Sequence, residues 1–349
     1  MKTEYIELDE NLIDPDVIRR AGAVLREGGL VAFPTETVYG LGGDALNPES
    51  SRKIYAAKGR PQDNPLIVHI CRMEDLAPIT EEIPEEGYAL AEAFWPGPLT
   101  MIFNKSILVP KETTGGLSTV AVRFPSNRIA AELIRAAGGY IAAPSANASG
   151  RPSPTLGRHC LEDLDGKVEM ILDGGPVGIG LESTIIDLTS EVPTILRPGY
   201  VTQEMLEQVL GSVEIDRTIL GEDSSLPPKA PGMKYRHYAP RGELVIVEGD
   251  AERVIEYING ACREYAGRGC RTGVICTDET ASRYRADLVR SAGSRSDEES
   301  VARCLFRILR EFDEEGAQFM FSESFDRAGL GQAVMNRLMK AAGHRVVKV

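Results

Sequence analysis

The chain has 349 residues, with 39 Lys and Arg against 52 Asp and Glu, and a formal net charge of −13. Its length favours two domains over a single compact core. With 42% hydrophobic and 26% charged residues, the composition is that of a globular protein and excludes a disordered, collagen-like or membrane-spanning chain.

The negative charge is concentrated in the first part of the chain. Residues 1–210 carry 18 Lys and Arg against 30 Asp and Glu, which gives −12, whereas the remainder carries −1. Such an acidic region has little long-range attraction for a phosphate backbone, so we expect no broad nucleic-acid surface. Basic residues that cluster inside this region therefore call for a local explanation.

The N-terminus and the cysteines predict the cellular compartment. The opening residues, MKTEYIELDE, lack the apolar core of a secretory signal. No uncharged stretch reaches the ~18 apolar residues that a membrane span needs. The six cysteines show neither C-x-x-C spacing nor Cys–His pairing at zinc spacing. We therefore predict a cytoplasmic protein with reduced thiols, no membrane contact and no dedicated metal site.

Helix and strand signals fill the acidic region. Asp14 and Pro15 are typical of a helix start, which predicts a helix over 14–29, and Asn47-Pro48 starts a second helix that runs towards Lys58-Gly59. Further helices are predicted near 87–95, 127–137 and 202–210. Short apolar runs predict strands at 30–33, 66–70, 99–103, 119–124, 140–143, 169–172, 184–188 and 194–196. This mixed order predicts an α/β domain over 1–210 with a mixed, twisted sheet.

Residues 211–241 change in character and are predicted to be an interdomain linker. Four prolines break any regular element, and Ser and Gly add to the loop signal. The run Lys234–Tyr238 is aromatic and basic, which is unusual for a plain spacer. We therefore predict that the segment from Tyr235 to Tyr238 folds over a cavity as a lid.

Residues 242–349 return to a regular alternation of strands and helices. Strands are predicted at 243–249, 272–277 and 317–323, and helices at 251–267, 299–316 and 329–342. This alternation predicts a small Rossmann-like domain with a parallel sheet. No G-x-G-x-x-G follows its first strand, so dinucleotide binding there is unsupported.

Polar loops at the ends of predicted strands are the candidate sites in residues 1–210. No Walker A, G-x-S-x-G or H-E-x-x-H motif occurs, so the usual signatures of P-loop NTPases, serine hydrolases and zinc proteases are absent. The first loop, 34–41, offers the hydroxyls of Thr35 and Thr37. The alternative for this loop is a polar turn that caps a helix.

The second loop, 58–66, brings Lys58 and Arg60 together between two prolines. A guanidinium fork and an ammonium point charge suit the phosphates of a nucleotide. The alternative is a cationic helix C-terminus that satisfies the helix dipole, which explains Lys58 better than Arg60.

Three further features complete the candidate set. The small-residue loop 142–150 carries Ser145 and Asn147, and it remains open whether it is only a turn. The Gly-rich run 173–184 could form a backbone nest for an anion. His69 lies in an apolar strand, where a core histidine is the alternative to a ligand.

Taken together, these segments resemble the YrdC-like family, specifically the two-domain, long-form threonylcarbamoyl-AMP synthases. The resemblance rests on PTETVYGLG, KGRP…NPLIVHI, WPGPLT, TVAVRFP, APSANASG, GLESTI before LRPG, and the linker APGMKYRHYAP. It implies a YrdC-like α/β-twist domain followed by a Rossmann-like domain. It also implies a reaction in which L-threonine, bicarbonate and ATP give threonylcarbamoyl-AMP, pyrophosphate and water.

The resemblance also implies roles for individual residues. Lys58 and Arg60 are expected to be catalytic and, with Gln62, to hold the ATP phosphates. The expected nucleotide contacts further include Asn64, Thr119, Ser145, Asn147, Ser153, Arg197 and Tyr235. The expected L-threonine contacts are Thr35, His69, Arg123, Ala143 and Ser183, with Arg123 pairing the substrate carboxylate. Mg²⁺ is expected to accompany ATP, although the sequence offers no carboxylate cage for it.

The resemblance further implies a partner and leaves two alternatives. The product would pass to a tRNA threonylcarbamoyl-transfer complex for the modification of adenosine 37. YrdC-like domains also occur in hydrogenase-maturation carbamoyltransferases, but the zinc-finger cysteines of those proteins are missing here. An RNA-binding module is the non-enzymatic alternative, and the −12 charge of residues 1–210 argues against it.

Overall fold

The computed structural model describes residues 2–216, 219 and 237–349. Within it the chain forms two compact units. The first comprises Met1–Ser149, Ser153–Gly178 and Glu182–Lys234, and the second comprises Gly150–Pro152, Ile179–Leu181 and Tyr235–Val349. The domain limits at 210 and 242 stay predictions, because most of the linker between them lies outside the described residues.

The first unit is built on a mixed sheet of eleven strands. Its strands are β1 (Glu4–Glu7), β2 (Val31–Phe33), β3 (Gly40–Asp44), β4 (Ile67–His69), β5 (Leu99–Asn104), β6 (Thr119–Arg123), β7 (Ile141–Ala143), β8 (Met170–Asp173), β9 (Thr184–Asp187), β10 (Thr194–Arg197) and β11 (Glu214–Ile215). Their spatial order is β1-β8-β2-β3-β7-β4-β6-β5-β9-β10-β11. Parallel and antiparallel pairs both occur in this order, which confirms the predicted mixed sheet.

Six α-helices accompany this sheet in the described part of the first unit. They are α1 (Pro15–Arg26), α2 (Pro48–Lys58), α3 (Glu85–Phe94), α4 (Arg128–Ala136), α5 (Gly157–Leu164) and α6 (Gln203–Leu210). The Asp14 side chain caps α1 by accepting from the Asp16 amide, as the sequence predicts. Helix α2 ends at Gly59, whose φ of 63° is the left-handed conformation that stops a helix. This stop places Lys58 in the last helical turn and Arg60 in the loop that follows.

Strand β3 was not predicted, because its sequence GLGGD has low β propensity. It forms because it pairs with β2 on one side and β7 on the other. At Gly42, an added Cβ would lie 2.8 Å from the Ile141 side chain. The glycines therefore serve the close packing of three adjacent strands rather than the flexibility of a loop.

The second unit is a small Rossmann-like layer structure. Its strands are β12 (Glu243–Glu248), β13 (Thr272–Cys276), β14 (Leu288–Ser291), β15 (Phe319–Glu323) and β16 (Val346–Lys348), and its helices are α7 (Ala251–Gly267), α8 (Glu298–Glu314) and α9 (Gly329–Ala341). The strand order is β14-β13-β15-β12-β16, and every pair is parallel. This arrangement confirms the predicted fold class, although the short strands β14 and β16 were not predicted.

Candidate active site

Two of the predicted loops lie side by side in the first unit. The Ala146 amide donates to the Tyr39 carbonyl at 2.8 Å, and the Leu41 amide donates to the Pro144 carbonyl at 2.8 Å. A β-bridge also joins Gly40 to Ser145. The loop that carries Thr35 is therefore held against the loop that carries Ser145 and Asn147 by backbone hydrogen bonds.

Lys58 is buried and contacts the loop that carries Ser145 and Asn147. Its ammonium group donates to the carbonyl oxygens of Ser145 and Asn147, and it lies 3.4 Å from Asn147 Oδ1. Ser145 Oγ in turn donates to Asn147 Oδ1 at 2.5 Å. The structure thus brings three predicted nucleotide residues into one hydrogen-bonded cluster.

Arg60 is also buried, and it braces its own loop. Its Nε donates to the Asn64 carbonyl at 3.2 Å, and its Nη2 donates to the Pro65 carbonyl at 3.1 Å. Asn64 is buried, whereas Gln62 is exposed. A helix C-terminus alone would not bury Arg60 in this way, so the simple dipole explanation covers Lys58 better than Arg60, as the sequence suggested.

His69 and Arg123 lie directly opposite each other at the carboxyl ends of the parallel strands β4 and β6. Both are buried, at 4% exposure each. Thr100 faces Arg123 from the antiparallel strand β5. Ala143 pairs with Ile67, two residues before His69. The register therefore gathers three of the predicted threonine contacts around β4.

Burial and, to a smaller extent, the nearby Arg123 cation together lower the pKa of His69 to about 3. His69 Nδ1 lies 3.0 Å from the Ile67 carbonyl oxygen. A carbonyl oxygen can only accept, so Nδ1 carries the proton and Nε2 carries the lone pair. At neutral pH this histidine is therefore an uncharged hydrogen-bond acceptor.

Arg123 faces a carboxylate that the sequence did not single out. Its Nη2 lies 2.7 Å from Oε1 of Glu36, and the two side chains are 5% and 14% exposed. Glu36 is in the loop after β2, and β3, β7 and β4 separate that strand from β6 in the sheet. The loop must therefore cross these strands to bring Glu36 to Arg123.

Ser183 and Arg197 form a second buried group next to Thr100. Ser183 Oγ lies 2.8 Å from Thr100 Oγ1. Arg197 donates from Nε to the Ser183 carbonyl at 3.0 Å and from Nη2 to Ser183 Oγ at 3.1 Å. Since Thr100 pairs with Arg123, this group lies at the same end of β6 as Arg123.

The remaining predicted residues are more widely placed. Thr119 starts β6 and Arg123 ends it on the same face, about 13 Å apart at ~3.3 Å per residue. Ser153 is fully buried and donates to Oε1 of Glu182 at 2.5 Å. Tyr235 lies outside the described residues, so its predicted role is not addressed by the structure.

Three further observations concern metal ligands, membrane-spanning helices and cysteines. Within the described ranges, no three His, Cys, Asp or Glu side chains are grouped as a metal ion would require. The same residues include no helix that is long and apolar enough to cross a membrane. The six cysteines are all free thiols, and four of them are buried.

Two buried carboxylates of the site were missed by sequence reasoning, Glu36 and Glu182. Glu36 stands between two threonines directly after an apolar strand, and Glu182 ends a Gly-rich run before Ser183. A charged residue inside a small, polar loop next to a buried strand is the signal that would have found both.

Comparison with known proteins decides the family. A family model described as "Telomere recombination" (Sua5_yciO_yrdC) matches residues 23–199, and a model described as "Threonylcarbamoyl-AMP synthase, C-terminal domain" matches residues 201–343. The chain belongs to the threonylcarbamoyl-AMP synthase family. The family resemblance, the two-part fold class and the assignment as an enzyme are thereby confirmed.

Full-length members of this synthase family are closely similar to the chain. The threonylcarbamoyl-AMP synthase of Bacillus subtilis is 48% identical over 352 residues and 100% of each chain. The synthase of Pyrococcus abyssi is 49% identical over 332 residues, with 95% of this chain and 96% of that one covered. The crystal structure of P. abyssi Sua5 complexed with L-threonine superposes with a TM-score of 0.94 at 48% identity, covering 99% of this chain and 100% of that one.

Proposed function

We propose that the chain converts L-threonine, bicarbonate and ATP into threonylcarbamoyl-AMP, pyrophosphate and water. The threonine amine and bicarbonate form a carbamate, a carbamate oxygen attacks the α-phosphorus of ATP, and pyrophosphate leaves. No covalent enzyme nucleophile is required, so positioning and charge stabilisation carry the catalysis. This proposal accounts for the absence of a nucleophile motif in the sequence.

The observation that carries the proposal is the burial of four cations in the acidic first unit: Lys58, Arg60, Arg123 and Arg197. Each of these cations has protein partners, yet placing four of them inside one acidic unit still costs desolvation energy, which points to a specific reason. A triphosphate and a substrate carboxylate supply such a reason. The L-threonine complex of the P. abyssi relative supports the amino-acid part of the assignment.

The residue roles follow the two groups of the site. Lys58, Arg60 and Gln62 hold the ATP phosphates, while Asn64, Thr119, Ser145, Asn147, Ser153 and Arg197 contact the rest of the nucleotide. Thr35, His69, Ala143 and Ser183 surround L-threonine, whose carboxylate pairs with Arg123. The neutral His69 is suited to this task, because its Nε2 accepts a hydrogen bond from a substrate hydroxyl or amine while the ring stays uncharged beside Arg123.

Mg²⁺ enters this scheme as part of the substrate. Magnesium keeps several waters and is usually held through one or two carboxylates together with substrate phosphates. The product passes to a tRNA threonylcarbamoyl-transfer complex in the cytoplasm, where it supplies the modification of adenosine 37.

The deciding assay is pyrophosphate release from ATP with L-threonine or bicarbonate omitted in turn. We expect release to require both co-substrates. Release that ignores threonine would exclude this synthase reaction. Tight, salt-sensitive RNA binding without turnover would instead favour the RNA-binding alternative.

The linker has a test of its own. If Tyr235–Tyr238 closes over the cavity as a lid, truncation at about residue 212 lowers ATP affinity and turnover. The substitution Tyr235→Ala in the full chain separates the lid from the loss of the C-terminal domain. Equal ATP affinity and turnover after truncation would contradict the lid.

A further inference from the structure

The pairing of Arg123 with Glu36 leaves hydrogen-bonding groups open on both partners. Arg123 Nε and Nη2, and both carboxylate oxygens of Glu36, are buried and have no hydrogen-bond partner among the described residues. The 2.7 Å contact between Nη2 and Oε1 is an ion pair whose N–H is not aimed at the oxygen. Buried polar groups in this state are rare in folded proteins and call for a partner.

The open groups on Arg123 have a defined shape. Nε and Nη2 form one edge of the guanidinium, and this edge binds a carboxylate through two parallel hydrogen bonds. Glu36 does not use that edge in an aligned way. An incoming carboxylate can therefore take both donors while the Glu36 carboxylate remains next to the cation.

The carboxylate oxygens of Glu36, which lie beside the same guanidinium, are also without a hydrogen-bond partner among the described residues. An ionised carboxylate has no donor to offer, so its natural partner is a cation or an N–H group. An α-amino acid carries its ammonium group one carbon away from its carboxylate. A guanidinium and a carboxylate held side by side are therefore complementary in charge to the carboxylate and ammonium group of an α-amino acid.

The loop around Glu36 is built to hold its position. Thr35 Oγ1 donates to the Val38 carbonyl at 2.6 Å and accepts from the amides of Thr37 at 3.2 Å and Val38 at 3.3 Å. Thr35 Oγ1 also lies 2.9 Å from Thr37 Oγ1. The hydroxyl of Thr35 is thus engaged in a tight turn whose apex is Glu36.

We propose that Glu36 binds the α-ammonium group of the amino-acid substrate, so that Arg123 and Glu36 together select a zwitterion. This inference rests on the proposed function, because it takes L-threonine as the substrate. The two side chains neutralise each other, and the substrate replaces this contact with one charged partner for each. Glu36 is then a specificity-determining residue that the motifs did not assign.

The experiment is a binding cycle with two ligands and the full-length protein. L-threonine is compared with 3-hydroxybutanoate, which lacks the α-amino group, by calorimetry without ATP. The variants are Glu36→Gln and Glu36→Asp, and Glu86→Gln, an exposed residue of α3, is the matched control. Wild type and the control are expected to prefer L-threonine.

Glu36→Gln is expected to reduce that preference about 10-fold or more, the size of a lost charge-assisted hydrogen bond. Glu36→Asp keeps the charge but withdraws it by one methylene, so its preference for L-threonine is expected to lie between those of wild type and Glu36→Gln. It replaces the Gln variant if that variant fails to fold. Equal losses for both ligands would overturn the inference, since they would indicate a structural role. Tighter threonine binding by Glu36→Gln would also overturn it, because Glu36 would then compete with the substrate carboxylate for Arg123.

The wild-type measurement separates this inference from the proposed function. If wild type binds L-threonine and the cycle shows no coupling between Glu36 and the amino group, only the inference fails. If wild type does not bind L-threonine and shows no threonine-dependent pyrophosphate release, the proposed function fails and the inference falls with it.

Discussion

Two buried cations of the first unit, Lys58 and Arg123, have different kinds of partner. Lys58 donates to carbonyl oxygens of Ser145 and Asn147, whereas Arg123 lies against the carboxylate of Glu36. Carbonyl oxygens fix the position of an ammonium group, while the carboxylate of Glu36 pairs its charge with the guanidinium of Arg123. The proposed function assigns Lys58 to the polyanionic ATP, and the Arg123–Glu36 pair suits a ligand with no net charge.

This difference fits a substrate pair of unequal charge. ATP brings several negative charges, and a positive site lowers the cost of developing charge on the leaving pyrophosphate. L-threonine is a zwitterion, so an uncompensated cation beside it would attract any small carboxylate. The comparison predicts that changes on the phosphate side affect the chemical step most, and changes on the amino-acid side affect substrate choice.

The largest effect is expected on the phosphate side. Lys58→Ala or Arg60→Ala should lower threonine-dependent pyrophosphate release by about 10²-fold or more, the scale of losing one preorganised donor at a transition state. The measurement is the steady-state rate at saturating threonine. The exposed residues Lys111 and Arg158 provide matched controls as alanine variants, and near wild-type rates for both site variants would remove these cations from the site.

Arg123→Ala should act on threonine rather than on the rate at saturation. Loss of a bidentate, charge-assisted contact is expected to raise the KM for threonine about 10- to 100-fold. The KM for ATP should change much less, which is the internal control of the same titration. An unchanged threonine requirement would contradict the role of Arg123 and erase the contrast with Lys58.

The sequence predicted the scaffold of this site well because apolar runs and helix caps are local signals. Asp14 and Asn47 cap the helices that they were expected to start. Strand β3 was not predicted, because its glycines are required by contacts with β2 and β7. Such contacts between distant segments cannot be recognised from a short stretch of sequence. Propensity describes a residue alone, whereas this strand depends on its neighbours.

The prediction of the site residues from the sequence has the same limit. Lys58 and Arg60 stood out as cations in an acidic region, whereas Arg123 was assigned only through the family resemblance. Glu36 did not stand out, because the loop after β2 was interpreted through its threonine hydroxyls and a single carboxylate among 52 acidic residues is a weak signal. Its meaning comes from a contact across the sheet to Arg123, and only the three-dimensional structure provides that contact.

The uncharged state of His69, on the amino-acid side of the site, can be tested through the pH dependence of the free energy of unfolding. The pKa of His69 is lowered from 6.5 to about 3 in the folded chain, so between these values the unfolded chain binds more protons and stability falls as the pH falls. For His69 this amounts to about 2 kcal/mol between pH 7.5 and pH 5. Urea unfolding at both pH values measures it. His69→Gln should flatten the dependence, and the exposed His344 as His344→Asn should leave it intact.

The smallest expected effect concerns Ser153, on the nucleotide side. Its hydroxyl proton already points to the buried Glu182, so the oxygen has only acceptor capacity left for ATP. Ser153→Ala should therefore lower the free energy of unfolding by about 1 to 2 kcal/mol, as expected for a lost hydrogen bond to a charged group. The KM for ATP should rise only a few-fold, and the exposed Ser126 gives the control Ser126→Ala. A rise in the ATP KM comparable to the effect of Arg123→Ala on threonine, with stability unchanged, would mean that Ser153 serves ATP directly, and the nucleotide side would then depend on a hydroxyl donor as well as on its cations.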